Sequence, residues 1–276
     1  MDITSAIELN ISAALAEDIG TGDLTAQLIP VNQTAKAKVI SRDQAILCGK
    51  AWFEGCFKRL DPNIFIRWRV EEGDRVSPSQ TVCEISGSAR VMLTAERPAL
   101  NFLQTLSGTA TLTRSYVEAI KGTSASIMDT RKTLPGLRIA QKYAVKIGGG
   151  ENQRVGLYDG ILIKENHIAA AGGITAVLNE ARKFTAPNIS LQIEVENMDQ
   201  LAEAIQAEAK LILLDNFSLA KMREAVEFTK KRAVLEASGG ITLDNVRLVA
   251  ETGVDRISIG SLTKDVKAMD LSMRFE

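Results

Sequence analysis

Histidine is nearly absent: His167 is the only one in 276 residues. That excludes multi-histidine metal sites and argues against a Ser-His-Asp hydrolase, and chemistry here should need little proton shuttling by imidazole. Cysteine is scarce too, with Cys48, Cys56 and Cys83 alone. An odd count without a CxxC pair fits neither a disulfide framework nor a zinc site, so reduced, buried thiols are expected. Charge of one sign is also lacking: 33 Lys+Arg stand against 34 Asp+Glu, a net charge of −1. Such a chain has no global basic surplus with which to hold nucleic acid. No stretch approaches the roughly 20 apolar residues of a membrane span. The opening MDITSAIELN has neither a cationic region nor a long apolar run, so no signal peptide is read and a cytoplasmic chain is expected. What is present is a globular mixture, 45% hydrophobic and 24% charged. It is enough for one large domain or two modest ones.

The two ends of the chain read differently. Residues 4–17 pattern as an amphipathic helix ending before Gly20 and Gly22. Short β-like runs follow, AKAKVISR, QAILCG, IFIRWRV and QTVCEISG, separated by turn signals such as Asp61-Pro62 and Glu72-Gly73-Asp74. The segment VEEGDRVSPSQTVCEISG has the rhythm of a sandwich hairpin. It has no lysine at its tip, so it is not read as a biotin or lipoyl carrier. Residues 92–120 are helical in character, with Pro98 near a start and Gly108 as a weak point. From residue 124 a βα rhythm sets in: ASIMD (125–129), GILIK (160–164), SLQIEVE (190–196), KLILLD (210–215), AVLEAS (233–238) and DRISIG (255–260). Alternating β and α with Ile-, Leu- and Val-rich strands implies a parallel sheet covered on its faces. Six strands are too few for a closed eightfold barrel, so an open α/β barrel is expected. The tail LSMRFE alternates and should return as a strand to the first half. The expected division is 1–112, 113–264, and a returning tail over 265–276.

Almost every one of those strands ends in polar residues. The ends are Asp129-Thr130-Arg131-Lys132, Lys164-Glu165-Asn166-His167, Glu194 with Glu196, Asp215-Asn216, Glu236 with Ser238-Gly239-Gly240, and Gly260-Ser261. Barrel enzymes build their sites at the C-terminal ends of their strands, so several such ends in series mark a site. Ser238-Gly239-Gly240 and Gly260-Ser261, after the last strands, are where barrel phosphate sites lie, with backbone N–H groups facing the anion. The cations Arg131, Lys132, Arg138, Lys142, Arg154 and Lys164 imply a polyanionic ligand in an otherwise neutral protein. Glu194 and Asp215 among them suggest Mg²⁺ held partly through ligand phosphates, with simple pairing to the cations as the alternative. Gly148-Gly149-Gly150 has neither the P-loop ending nor GxGxxG spacing and is read as a turn. Trp52 and Trp68 are read as packing residues. His167 is read as either a phosphate contact or a helix cap.

Eight segments together resemble one family. They are AEDIGTGDLT (16–25), ERPALNFLQTLSGTAT (96–111), DTRKTLPGLR (129–138), KYAVKIGGGENQRVGLYDGILIKENHI (142–168), IEVEN (193–197), LLDNF (213–217), ASGGI (237–241) and ISIGSLT (257–263). On them the chain resembles the quinolinate phosphoribosyltransferases. The resemblance implies the type II phosphoribosyltransferase fold: an N-terminal α/β sandwich domain plus an open, incomplete α/β barrel. It implies transfer of phosphoribosyl from 5-phosphoribosyl-1-pyrophosphate to quinolinate with decarboxylation and Mg²⁺, giving nicotinate mononucleotide, pyrophosphate and CO2. It also implies a homodimer with shared active sites, with assembly of dimers into a hexamer left as an open alternative. Carried over residue by residue, the quinolinate clamp falls on Arg131, Lys132, Arg154 and Lys164. Arg97 matches the arginine lent by the neighbouring subunit. Glu194 and Asp215 match the acids near ribose and metal, and Ser238, Gly239, Gly240, Gly260 and Ser261 the phosphate loops. Lys132, Lys164, Glu194 and Asp215 are thereby the catalytic candidates, and Arg138 joins the substrate-binding set. One position departs: members usually have Asn-His-Arg where this chain has Asn152-Gln153-Arg154. A glutamine can hydrogen-bond but carries no charge.

Three other readings stay open at the sequence level. A molybdate-operon paralogue of the same fold would act on another aromatic acid. A Schiff-base aldolase would use Lys164. A binding protein for pyridine dicarboxylates or phosphosugars would hold ligand without turnover.

Overall fold

The computed structural model describes residues 2–276. In chain order the elements are α1 (Ile3–Ile19), β1 (Thr34–Ser41), β2 (Ala45–Ile46), α2 (Lys50–Leu60), β3 (Phe65–Trp68), β4 (Arg75–Val76), β5 (Thr81–Ser88) and α3 (Ala89–Ala119). There follow β6 (Ser126–Met128), α4 (Arg138–Gly148), β7 (Gly160–Ile163), α5 (Glu165–Ala171), α6 (Ile174–Phe184), β8 (Ser190–Val195) and α7 (Met198–Gln206). The last are β9 (Leu211–Asp215), α8 (Leu219–Thr229), β10 (Val234–Ser238), α9 (Val246–Ala250), β11 (Arg256–Ser258), α10 (Ser261–Lys264) and β12 (Leu271–Phe275). They group into two compact units. One takes the chain up to Arg114, Thr133–Gly149 and Leu262–Glu276; the other takes Ser115–Lys132 and Gly150–Ser261.

The first unit is built on an antiparallel sheet in the order β12-β1-β5-β3. The alternating tail pairs with β1, Ala37 opposite Phe275 and Ser41 opposite Leu271. Apolar alternation sends Ala37 and Val39 of β1 and Cys83 and Ile85 of β5 into a core shared with Trp52, Phe53 and Phe57 of α2 and Leu100, Leu103 and Leu106 of α3. Trp52 is fully buried, and Trp68 meets the Phe53 ring edge-on at 5.4 Å, so both tryptophans are packing residues. Asp2 caps α1 by accepting from the Ser5 N–H. The hairpin expected over 70–87 does not form. β4 pairs with β2, and β5 lies between β1 and β3. A turn at Ser77–Gln80, with Ser79 at φ +68°, separates the two strands. Pro98 lies well inside α3, not near its start. Gly108 marks a crossing: a Cβ there would stand 2.2 Å from the Lys267 carbonyl oxygen, so only glycine admits the C-terminal segment.

Segment 133–149 groups with this first unit, although the sequence rhythm assigns it to the barrel. The reason is packing. Ala140 and Ala144 of α4 are part of the first unit's core. Gly148 brings α4 so close to α3 that a Cβ would meet the Ala110 carbonyl at 2.6 Å, and the Arg114 Nε–H donates to the Gly148 carbonyl at 2.9 Å.

The second unit holds the six expected strands in one parallel sheet, ordered β6-β11-β10-β9-β8-β7. Along β8 to β11 alternate residues take opposite faces. Ile193, Val195, Ile212, Leu214, Leu235, Ala237 and Ile257 form the apolar set, all buried. The other set is Gln192, Glu194, Leu213, Asp215, Glu236, Ser238 and Ser258. The sheet stays open, because β6 and β7 are its edges. Beside β6 runs the segment after Gly150: the Glu151 N–H donates to the Ile127 carbonyl at 2.8 Å, and the Asp129 N–H to the Glu151 carbonyl at 3.1 Å. At the other edge the Arg154 Nη1–H donates to the Gly160 carbonyl at 2.9 Å.

Candidate active site

The polar face of the second unit carries most of the expected residues on neighbouring strand ends. Glu194, at the end of β8, is 8% exposed, yet it accepts an ion pair from Lys164 Nζ at 2.9 Å. Lys164 is placed by the turn into α5. Its backbone N–H donates to His167 Nδ1 at 3.0 Å, so the single histidine is a helix cap. A lysine whose Nζ is engaged by a buried carboxylate is not free to attack a carbonyl, which counts against the aldolase reading.

Arg131 follows β6, and Arg154 leaves the segment that runs beside it. Burial, and next the positive charge of Arg131, hold the Arg154 guanidinium below its ordinary affinity for the proton, while Asp159 works the other way. Two guanidinium groups close enough to repel gain most from an anion that joins them. Below them Asp129, fully buried, accepts from the Gln153 N–H at 2.8 Å and from Asn152 Nδ2 at 2.6 Å. These bonds fix the backbone from which Arg154 projects. Gln153, at the position where the family usually has histidine, donates through Nε2 to the buried Glu236 carboxylate.

The glycine turns follow β10 and β11. Gly239 has φ +100°, and a Cβ there would stand 2.1 Å from Asn216 Oδ1; Gly240 has φ +61° in open space. Their left-handed backbone turns successive N–H groups outward, an anion-binding shape. Asn245 steadies the turn, its Nδ2 donating to the Gly240 carbonyl at 3.0 Å. Asn216, itself at φ +56°, donates its N–H to the Ser238 carbonyl at 3.0 Å and its Nδ2 to Asp215 at 3.0 Å. Asp215 and Ser238 are direct register partners on β9 and β10. Gly260 precedes Ser261, whose hydroxyl lies 3.5 Å from that of Tyr116.

The second unit thus contains Arg131, Lys132, Arg154, Lys164, Glu194, Asp215, Ser238, Gly239, Gly240, Gly260 and Ser261. Lys132 lies in the exposed turn after β6, its N–H donating to Thr130 Oγ1 at 3.0 Å. Arg97 on α3, and Arg138, whose Nε donates to Thr133 Oγ1 at 3.1 Å, belong to the first unit. Sequence reasoning marked Asp129, Asn216 and Glu236 only as polar strand ends, without their roles as buried anchors or turn-shaping residue, and it passed over Asn245, which also shapes the glycine turn. The run Leu-Leu-Asp-Asn at a strand end carried a signal, since asparagine tolerates the left-handed conformation that a sharp exit needs. Among the described residues no group of three or more His, Cys, Asp or Glu side chains could hold a metal.

Fold and site together define an α/β-barrel enzyme for polyanionic substrates, with cations, paired acids and glycine turns on adjoining strand ends. The chain belongs to the quinolinate phosphoribosyltransferase family. It matches that family's N-terminal domain over residues 23–107 and its C-terminal domain over residues 109–274. A probable nicotinate-nucleotide pyrophosphorylase [carboxylating] of Bacillus subtilis is 43% identical over 93% of this chain and 89% of the relative. A quinolinate phosphoribosyltransferase [decarboxylating] of Nicotiana tabacum is 38% identical over 96% of this chain and 81% of the relative. Among solved structures, the nicotinate-nucleotide pyrophosphorylase from Francisella tularensis superposes with a TM-score of 0.96 at 43% identity, over 100% of this chain and 98% of that one.

Proposed function

We infer that this chain transfers phosphoribosyl from 5-phosphoribosyl-1-pyrophosphate to quinolinate and releases CO2, leaving nicotinate mononucleotide and pyrophosphate. The observation that carries the reading is the gathering in one unit of Arg131 and Arg154, whose positive charges act on each other, with the Lys164–Glu194 ion pair. Quinolinate bears two adjacent carboxylates, and two guanidinium forks with a neighbouring ammonium match them in charge and shape. In our reading Arg131, Lys132, Arg154 and Lys164 hold the dicarboxylate so that the ring nitrogen faces the anomeric carbon. The Ser238-Gly239-Gly240 and Gly260-Ser261 turns hold phosphate through backbone N–H groups. Arg138 and Arg97 complete the substrate set, Arg97 by serving the site of a second copy.

The ring nitrogen displaces pyrophosphate as the anomeric centre gains oxocarbenium character. Carboxylates at Glu194 and Asp215 then offset positive charge on the ribose. Once ribosylated, the pyridinium is itself the electron sink, so the carboxylate beside the nitrogen leaves as CO2, its bonding pair stays on the ring carbon, and that carbon takes a proton from water, without a further cofactor. Positioning and electrostatics carry the rate, which suits a chain with one histidine acting as a cap. Two carboxylates and no denser donor cluster suit Mg²⁺ arriving on the diphosphate, with Glu194 and Asp215 as its protein neighbours. Bound there, the ion would neutralise charge on the leaving group.

We place the enzyme in the cytoplasm as a homodimer. Its thiols are free and buried, which suits a reducing compartment. Leu24, Leu28 and Val31, more than two-thirds exposed in the first unit, are the kind of surface a subunit contact covers. Incubating the protein with quinolinate, 5-phosphoribosyl-1-pyrophosphate and Mg²⁺ should release nicotinate mononucleotide and CO2 in equal amounts. Binding of both substrates without either product would refute the reading.

A further inference from the structure

Glu236 sits in the middle of β10, fully buried, with no cation among its hydrogen-bond partners. Among the described residues its donors are Gln153 Nε2, which reaches both oxygens, Gln192 Nε2 at 3.0 Å, and Ser258 Oγ. Gln192 and Ser258 are themselves 4% and 6% exposed. Amide NH₂ groups only donate, so the carboxyl is used purely as an acceptor. A buried acidic group answered by neutral donors is expensive compared with an apolar residue such as Leu213, its register neighbour on β9. In return it ties together three segments that are not direct sheet neighbours of one another: β8, β11 and the segment after Gly150. Each tie lies directly behind a residue of the site. Gln153 precedes Arg154, Gln192 is two before Glu194 on the same face, Ser258 is two before Gly260, and Glu236 is two before Ser238.

The three ties are not equivalent. Gln192 and Ser258 belong to strands whose backbones are already fixed, Gln192 opposite Leu162 and Ser258 opposite Met128. Gln153 belongs to no strand, and its side chain is anchored on Glu236 and, at 3.5 Å, on Gln192. We propose that Glu236 is a positioning residue that acts through Gln153 to aim Arg154, and so sets affinity for the dicarboxylate substrate and not for the phosphoribosyl donor. This rests on the reading of Arg154 as a quinolinate contact.

The test is steady-state kinetics on the full chain with both substrates varied. Glu236→Gln turns the acceptor into an amide that cannot accept with both oxygens. It should raise KM for quinolinate about tenfold, with KM for 5-phosphoribosyl-1-pyrophosphate within about twofold. Gln153→Asn keeps the amide but shortens its reach. It should show the same split even where Glu236→Gln weakens folding, because Gln153 is a half-buried residue outside the strands. The double variant should be no worse than the more affected single one, since both break one link. An unchanged quinolinate KM in Gln153→Asn, a parallel rise of both KM values, or additive effects would overturn the proposal. Wild-type protein without quinolinate turnover would instead overturn the functional reading, and this inference with it.

Discussion

Gly239 and Gly240 stand side by side in one turn, and the structure predicts very different fates for the same added methyl group. At Gly240, φ is +61° and nothing lies within 4 Å of a built Cβ. Gly240→Ala therefore meets only the intrinsic left-handed penalty, about 1 kcal/mol. At Gly239, φ is +100°, and the Cβ would stand 2.1 Å from Asn216 Oδ1, 2.7 Å from its Cγ and 3.1 Å from its backbone nitrogen. Backbone strain there costs about 2 kcal/mol. Asn216 must also move, and it cannot do so alone, because its N–H is bonded to the Ser238 carbonyl and its amide to Asp215. A total near 3 kcal/mol, expressed in the site, is about a hundredfold in rate. The assay is kcat/KM for 5-phosphoribosyl-1-pyrophosphate together with a thermal melt. Gly239→Ala should lose about a hundredfold and Gly240→Ala less than tenfold. Equal losses, or a larger loss at Gly240, would refute the account of the turn.

Other outcomes follow from the same geometry. Arg131→Ala should raise KM for quinolinate sharply, and Arg131→Lys should recover less than half of the lost binding energy, because a point charge does not reproduce a fork; full recovery in a titration of initial rates would contradict this. Glu194→Gln leaves the Lys164 ammonium without the carboxylate now 2.9 Å away, and should lower kcat about tenfold or more in the same rate assay. Burial pushes the Cys56 thiol from its ordinary 9.0 to about 12 and pushes Cys48 and Cys83 up as well. The unfolded chain then loses these protons first, so stability should fall as pH rises from 9 towards 12. Urea melts of Cys56→Ala should show a shallower decline over that range, and an unchanged slope would count against the burial argument.

Much of the fold was legible because it rests on local chemistry. Six apolar runs with polar ends sit where β6 to β11 are found, and the alternating tail pairs with β1. The α4 segment packs into the first unit for a physical reason. Its helical pattern fits either unit, and what decides is Gly148, whose missing side chain allows the approach to α3. The hairpin expected over 70–87 does not form because β-like alternation does not say which strand will be the partner, and β5 found β1 and β3. In the site, charged strand ends were readable one by one. The anchors behind them were not, since Asp129, Gln192 and Glu236 act through contacts between segments distant in sequence. Gln153 could be marked as unusual from its neighbours, but its inward turn onto Glu236 required the fold.

The most direct test of the central claim is an isotope experiment on the wild-type chain. Quinolinate labelled in the carboxylate beside the ring nitrogen is supplied with 5-phosphoribosyl-1-pyrophosphate and Mg²⁺, and label is followed into CO2 and mononucleotide. The account predicts that all label leaves as CO2, in equal amount to the nicotinate mononucleotide formed, and that omitting the phosphoribosyl donor stops its release. Label retained in the nucleotide, or CO2 released without the donor, would contradict a mechanism in which ribosylation of the nitrogen creates the electron sink.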